Sequence, residues 1–242
     1  MYRKGHPMQF FAGTSAYSVK EWKGSFYPEK LPAKDMLSYY SQRFPSVEIN
    51  SSYHKLPTEA TVQSWAEQVP ESFRFVIKAP QTITHIKRLK NVDEVTDLLL
   101  KTVSVLDRRL GPLYFQLPPN FKKDLPRLEA FLDFIGSRAQ TVFEFRHASW
   151  FDEDVFDCLR AHACALCVAD ADDLPSIDLI QTADWGYVRL RREAYSDELL
   201  KDWIERLRSK EWETAYVFFK HEETGTGPKL ATRFLELALR NP

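Results

Sequence analysis

Eight short segments of the chain have strand character, each closed by a polar, glycine or proline signal. They are QFFAGTS (9 to 15), SVEINSS (46 to 52), FRFVIKA (73 to 79), GPLYFQL (111 to 117), TVFEFRH (141 to 147), ALCVAD (165 to 170), GYVRLRR (186 to 192) and TAYVFFKHE (214 to 222). Between them, apolar residues recur at the spacing of one helix face. Examples are Leu37, Tyr40 and Phe44; Val62, Trp65 and Val69; Val95, Leu99 and Val103; Leu125, Leu128 and Leu132; Val155 and Leu159; Leu200, Trp203 and Leu207; Leu230 and Phe234. Thr58, Asp152 and Gly227 before Pro228 are the expected helix starts.

Alternating strands and helices predict a parallel sheet, because parallel neighbours require crossover connections and these are usually helical. Eight units favour closure into an α/β fold, a single (β/α)8 TIM-like barrel, over an open doubly wound sheet. The sixth helix is expected to be degenerate: between strands six and seven the chain offers only a turn's worth of helix around Ile177 to Ile180. Residues 1–8 read as a flexible tail and 9–242 as one barrel domain.

Side chains alternate across a strand, so the apolar set packed on the outer helices identifies the inward set by elimination. This phasing turns Glu48, Asn50 and Ser52 inward, with Arg74, Val76 and Lys78, then Tyr114 and Gln116, then Val142, Glu144 and Arg146. It does the same for Tyr187, Arg189 and Arg191, and for Tyr216, Phe218, Lys220 and Glu222. Strand six is ambiguous, although Asp170 ends it either way. The inward charges gather towards the strand C-termini, where barrel enzymes keep their sites. Glu48, Glu144 and Asp170 face Lys78, Arg146, Arg189, Arg191 and Lys220, a local excess of positive charge that suits an anionic ligand. The bland alternative is a structural ion-pair network, but burying so many charges gains little stability over apolar packing.

Composition narrows the partners. With 242 residues, 44% hydrophobic and 28% charged, and a net charge of −1, the chain is globular and has no global field for nucleic acid or an anionic membrane. No apolar run is long enough to span a bilayer, and MYRKGHPMQF lacks the apolar region of a signal peptide, so a cytoplasmic location is expected. Cys158, Cys164 and Cys167 lie in an apolar helix-to-strand passage and read as small buried thiols.

Taken together and in order, GTSAYSVKEWKGSFYP, VEINSSYHKLP, FRFVIKAP, YFQLPPNF, FEFRHASWF and FFKHEETGTGP resemble the YecE-like family, domain of unknown function 72, from about Gln9 to Leu239. The resemblance implies a TIM barrel with a concave site at the strand C-termini, and no established activity. Its motif positions are Gly13, Trp22, Tyr27, Pro28, Glu48, Asn50, Ser51, Lys78, Glu144, Arg146, His147, Trp150 and Lys220. Tyr17, where the family is expected to carry tryptophan, and His54 after Tyr53 depart from it.

The loops add candidates. Gly225 and Gly227 sit in a glycine-rich turn before a helix, which could offer backbone N–H groups to a phosphate or simply be a capped loop. The stretch from Lys78 to Lys90 is basic; Lys87, Arg88 and Lys90 read as a solvated face, whereas His85 could reach the site. Tyr17 and Trp150 are candidate stacking rings. His147 and His221 fall on the outward phase, and no HExxH or clustered acidic motif appears, so no metal and no cofactor are assigned.

The leading reading is a metal-independent enzyme for a small anionic, phosphate- or carboxylate-bearing and sugar-like molecule. Glu48, Glu144, Lys78 and Asp170 would be its catalytic groups. Tyr17, Asn50, His85, Gln116, Arg146, His147, Trp150, Arg189, Arg191, Lys220, Gly225 and Gly227 would be its binding groups. The alternatives are a metal-dependent hydrolase or isomerase using Glu48, Glu144 and Asp170, and a non-catalytic nucleic-acid-binding module using the basic loop.

Overall fold

The computed structural model describes residues 8–172, 178–221 and 225–240. All eight expected strands form: β1 (Gln9–Thr14), β2 (Ser46–Ile49), β3 (Arg74–Lys78), β4 (Leu110–Gln116), β5 (Thr141–Glu144), β6 (Ala165–Asp170), β7 (Trp185–Leu190) and β8 (Thr214–Phe219). Seven helices lie between and after them. They are α1 (Met36–Ser41), α2 (Glu59–Glu67), α3 (Asp93–Ser104), α4 (Leu125–Ile135), α5 (Glu153–Ala161), α6 (Asp197–Arg208) and α7 (Thr226–Arg240).

Every hydrogen-bonded strand pair is parallel, and the sheet runs β1-β8-β7-β6-β5-β4-β3-β2, bringing β1 back beside β2. This is a nearly closed TIM-like barrel. At the β1–β2 seam, where the pairing ladder is interrupted, one side chain bridges the strands. The Tyr40 hydroxyl accepts from Thr14 N at 2.8 Å and donates to Ser46 O at 3.1 Å. Gly13 lets the strands approach: a Cβ there would lie 2.0 Å from the Ser46 carbonyl oxygen.

The alternation separates two apolar layers as expected. Val47, Ile49, Phe75, Ile77, Leu113, Phe115, Phe143, Val188 and Val217 join the helices in the outer core. Phe11, Val76, Tyr114, Val142, Trp185, Tyr187, Tyr216 and Phe218 fill the barrel. Strand six is now resolved. Ala165 and Cys167 point inward and Leu166 and Val168 outward, which puts Asp170 on the outward phase. The three cysteines are free thiols.

The strands are shorter at their C-terminal ends than the apolar pattern suggests. β2 stops at Ile49 because Ser51–Tyr53 turn into a 3-10 helix, and β5 gives way to a turn at Ala148–Trp150. β8 ends at Phe219, and Glu222, expected to point inward, lies outside the described residues. Thr58 and Asp152 cap α2 and α5 through their side chains, while Gly227 sits inside the first turn of α7 rather than ahead of it.

Between β6 and β7 no helix occurs among the described residues, and the turn expected near Ile177 falls partly outside them. Thr182 anchors this connection instead. Its hydroxyl donates to Cys164 O at 2.7 Å and accepts from Leu166 N at 3.0 Å, while Leu179 is buried. The loop after β3 contains one π-helical turn, Thr82–Ile86, followed by left-handed backbone at Arg88, Leu89 and Asn91.

Candidate functional site

The inward charges of the middle strands meet inside the barrel. Glu48 from β2, Glu144 from β5 and Arg189 from β7 are each at most 1% exposed. The Arg189 guanidinium donates to Glu48 Oε1 at 2.9 Å and reaches Glu144 Oε2 at 3.2 Å, so one cation serves both carboxylates. Two buried phenols complete the shell: Tyr114 donates to Glu144 Oε2 at 2.6 Å, and Tyr187 donates to Glu48 Oε2. Arg189 also donates to the Tyr114 hydroxyl at 2.8 Å, and the tyrosine rings stack 5.6 Å apart. Such a cluster tolerates burial only because nearly every polar atom has a partner.

Its charge states follow. Burial works to raise Glu144, but Arg189, Arg146 and the hydrogen bonds from Tyr114 and Gln116 outweigh it and hold the carboxyl well below its ordinary value. Burial opposes ionisation of Glu48 as well; Arg189, Tyr187 and Lys78 overcome it, so Glu48 is also lowered. Tyr114 and Tyr187 are pushed up chiefly by burial and stay protonated as donors.

Above this cluster the barrel opens into a cavity of about 650 Å³. Its wall includes Tyr17, Asn50, Tyr53, Lys78, Gln116 and Lys220, with Glu21 and His54 further along the lining. Lys78, half-buried at the end of β3, is the link between cavity and cluster. Gln116 Nε2 donates to Glu144 Oε1 at 2.8 Å, which turns Gln116 Oε1 towards Lys78 Nζ, 3.0 Å away. The ammonium also sits 4.6 Å from the Tyr53 ring centroid and 5.6 Å from that of Tyr114. Ser52, expected to point inward, instead holds the backbone here: its buried hydroxyl is shared between Ile49 O and Lys78 O.

Glu48 and Glu144 are balanced by Arg189 and Arg146, which leaves Lys78 as the added positive charge of the inner group. Burial lowers it first and the Arg189 charge further, against the pull of Glu48 and Glu144, to about 8.

The other expected site residues divide. Asn50 lines the cavity and ties the mouth together by donating to Ser15 O at 2.9 Å. Arg146 is inward, pairs with Glu144 and keeps a buried Nε with no hydrogen-bond partner among the described residues. His85 stands behind Tyr53, ring centroids 5.1 Å apart; burial and the charges of Lys78 and Arg88 lower it. Arg189 lies beneath the cavity rather than on its wall; its two Nη atoms are held by the glutamates and Tyr114, while its buried Nε has no hydrogen-bond partner among the described residues.

Four residues sit elsewhere. Asp170, being on the outward phase, accepts from Arg192 at 2.7 Å and Tyr195 at 3.0 Å, both ahead of α6, and from Trp203 of α6 at 3.2 Å. Trp150 is buried outside the barrel, stacked on Phe145 at 4.7 Å and donating to Phe121 O. His147 accepts from Ser149 N and caps its own turn. Arg191 does not line the cavity; its Nη1 is buried with no hydrogen-bond partner among the described residues.

Gly225 lies just ahead of α7 and Gly227 in its first turn, and neither lines the cavity. Cβ atoms there would meet Ser25 Oγ at 2.4 Å and His221 O at 2.8 Å. In the basic loop, Lys87 donates to Asn91 O and Arg88 to Asn120 Oδ1. Among the described residues no three His, Cys, Asp or Glu side chains come together as a metal-binding group.

Tyr53, Tyr114 and Tyr187 are the contributors that residue-type reasoning passes over. Tyr114 and Tyr187 fall on the inward phase, yet neither is among the expected site residues. The signal lies in the hydroxyl, because a phenol buried in a barrel needs an acceptor and the inward carboxylates are the ones available.

Fold and site together define a (β/α)8-barrel protein with a titratable, cation-bearing mouth over a buried ion cluster. The chain belongs to the family described as Protein of unknown function DUF72, whose model matches residues 11–241. A DUF72 family protein from Thermotoga maritima superposes with a TM-score of 0.79 at 28% identity, covering 95% of this chain and 98% of the other. One from Enterococcus faecalis gives 0.82 at 18% identity over 96% of each chain, which shows the shared fold. In sequence, UPF0759 protein YecE of Escherichia coli (strain K12) is 35% identical over 116 residues, 48% of this chain and 43% of that protein. UPF0759 protein YunF of Bacillus subtilis (strain 168) is 28% identical over 142 residues, 55% of this chain and 50% of that protein. These matches span about half the length of either curated relative. No helix among the described residues is long and apolar enough to cross a membrane.

Proposed function

We propose that the mouth binds a small anionic molecule, carrying phosphate or carboxylate, and acts on it by proton transfer through Lys78. The observation that carries this reading is the position of Lys78. It faces a cavity of ligand size, with no carboxylate within ion-pair distance among the described residues, above a cluster that already balances its own charges. An incoming anion supplies the missing partner.

The roles divide by depth. At about 8, Lys78 lies close enough to neutrality to give or take a proton in the physiological range. Glu48 and Glu144, ionised and enclosed, set the field around Lys78, and Gln116 transmits the orientation of Glu144 to it. Asn50, Tyr17 and Lys220 on the cavity wall suit contacts to the hydroxyls and the charge of a sugar-like body.

A thermal-shift panel pairing phosphorylated and carboxylated sugars with their neutral counterparts tests this reading. The expected result is stabilisation by anionic members alone, lost in Lys78→Met. Equal shifts from charged and neutral members, or none from either, would refute it.

A further inference from the structure

We propose that Lys78 is a covalent nucleophile, its amine forming a Schiff base with the carbonyl carbon of a small anionic aldehyde or ketone held in the mouth. This rests on the reading of the mouth as an anion site and adds a reaction class to it. An ammonium kept only for charge balance is normally clasped by a carboxylate. Here both buried glutamates pair with arginine, and Lys78 is held through the neutral oxygen of Gln116 at 3.0 Å. That single contact fixes the direction of the side chain, because Gln116 is itself anchored on Glu144. The rings of Tyr53 and Tyr114 approach Nζ to 4.6 and 5.6 Å, and the cavity provides the way in for a substrate. Burial and the Arg189 charge bring the ammonium to about 8, so a substantial share is free amine near neutral pH.

The step balances without an oxidant. Water in the mouth takes one proton from the ammonium, and the Nζ lone pair bonds to the carbonyl carbon while the C–O π pair moves to oxygen. A proton passes from nitrogen to that oxygen, giving a carbinolamine. The oxygen then leaves as water, taking up a second proton from solvent, as the nitrogen pair forms the C=N bond of a protonated imine.

Pyridoxal 5′-phosphate, an aldehyde bearing a phosphate, is a suitable probe: the full chain is incubated with it at pH 8, reduced with borohydride and mapped by peptide mass. The expected result is labelling of Lys78 at least about tenfold faster than of exposed lysines, as the difference in free-amine fraction requires. Inorganic phosphate should slow that labelling, and Lys78→Arg should abolish it at an unchanged melting temperature. Labelling at Lys78 no faster than at exposed lysines, in protein that phosphate still stabilises against heat, overturns the covalent role and leaves the anion site standing. If phosphate neither slows labelling nor stabilises the protein, the anion reading falls and this inference with it. The wild-type map alone decides, so the result does not depend on any variant folding.

Discussion

Arg189 ties the barrel interior together, as the shared counter-ion of Glu48 and Glu144 and a donor to Tyr114. Its replacement by Met takes from Glu48 its ion-pair partner and leaves Glu144 with Arg146 alone. The expected cost is about 3–5 kcal/mol in urea unfolding, the range for removing one partner of a buried pair. The glutamates also impose an acid limit. Glu144 is held well below its ordinary 4.5, so its contribution to stability is complete above that value and is lost as the pH falls through the acid range. Glu144→Gln should flatten this limb of the stability curve, which denaturant titrations from pH 3 to pH 6 would reveal.

Lys78 has the opposite signature. Between about 8 and its ordinary 10.5 the unfolded chain holds a proton that the folded chain has released, so stability rises with pH across that window. Lys78→Met should remove the rise. A slope unchanged by the substitution would mean that Lys78 does not titrate in this range.

Among the elements, the β1–β2 seam is where the barrel depends on side chains rather than on a backbone ladder. Tyr40→Phe removes the hydroxyl that joins Thr14 N to Ser46 O. It should cost about 1–3 kcal/mol, the range for leaving buried polar groups without a partner, measured by urea unfolding. Gly13→Ala forces a methyl into the Ser46 carbonyl and should be at least as damaging. Neither effect was legible in the sequence. Tyr40 reads as one apolar tooth of a helix, and Gly13 as a motif glycine with no stated neighbour, because the partner strand lies more than thirty residues away.

The periodic features were legible. Alternation in SVEINSS and TVFEFRH gave the inward Glu48 and Glu144, and GYVRLRR gave Arg189, since a strand packed on helices can bury only one apolar face outward. Residues at strand ends were harder. Asn50 stayed at the mouth after β2 ended, whereas Trp150 turned into the outer core once β5 gave way to a helical turn. In strand six, apolar residues on both faces leave the phase open, and Asp170 falls outside the barrel. Arg189 reads as a binding group in the sequence because phase alone does not give depth, and depth decides whether a cation meets a ligand or a carboxylate.

Taken whole, the barrel brings side chains from separate strands to one axis, with paired charges below and Lys78 and Lys220 on the cavity wall above. Membership of the DUF72 family accords with this architecture over residues 11–241. Protonation of Lys78, the titrating group of the proposed anion site, can be followed directly. Carbon-13 shifts of the lysine Cε, assigned by difference from Lys78→Arg, should show a midpoint of about 8 that moves upward when inorganic phosphate is added. A midpoint at the ordinary lysine value, unmoved by phosphate, would show that Lys78 is neither perturbed nor part of an anion site.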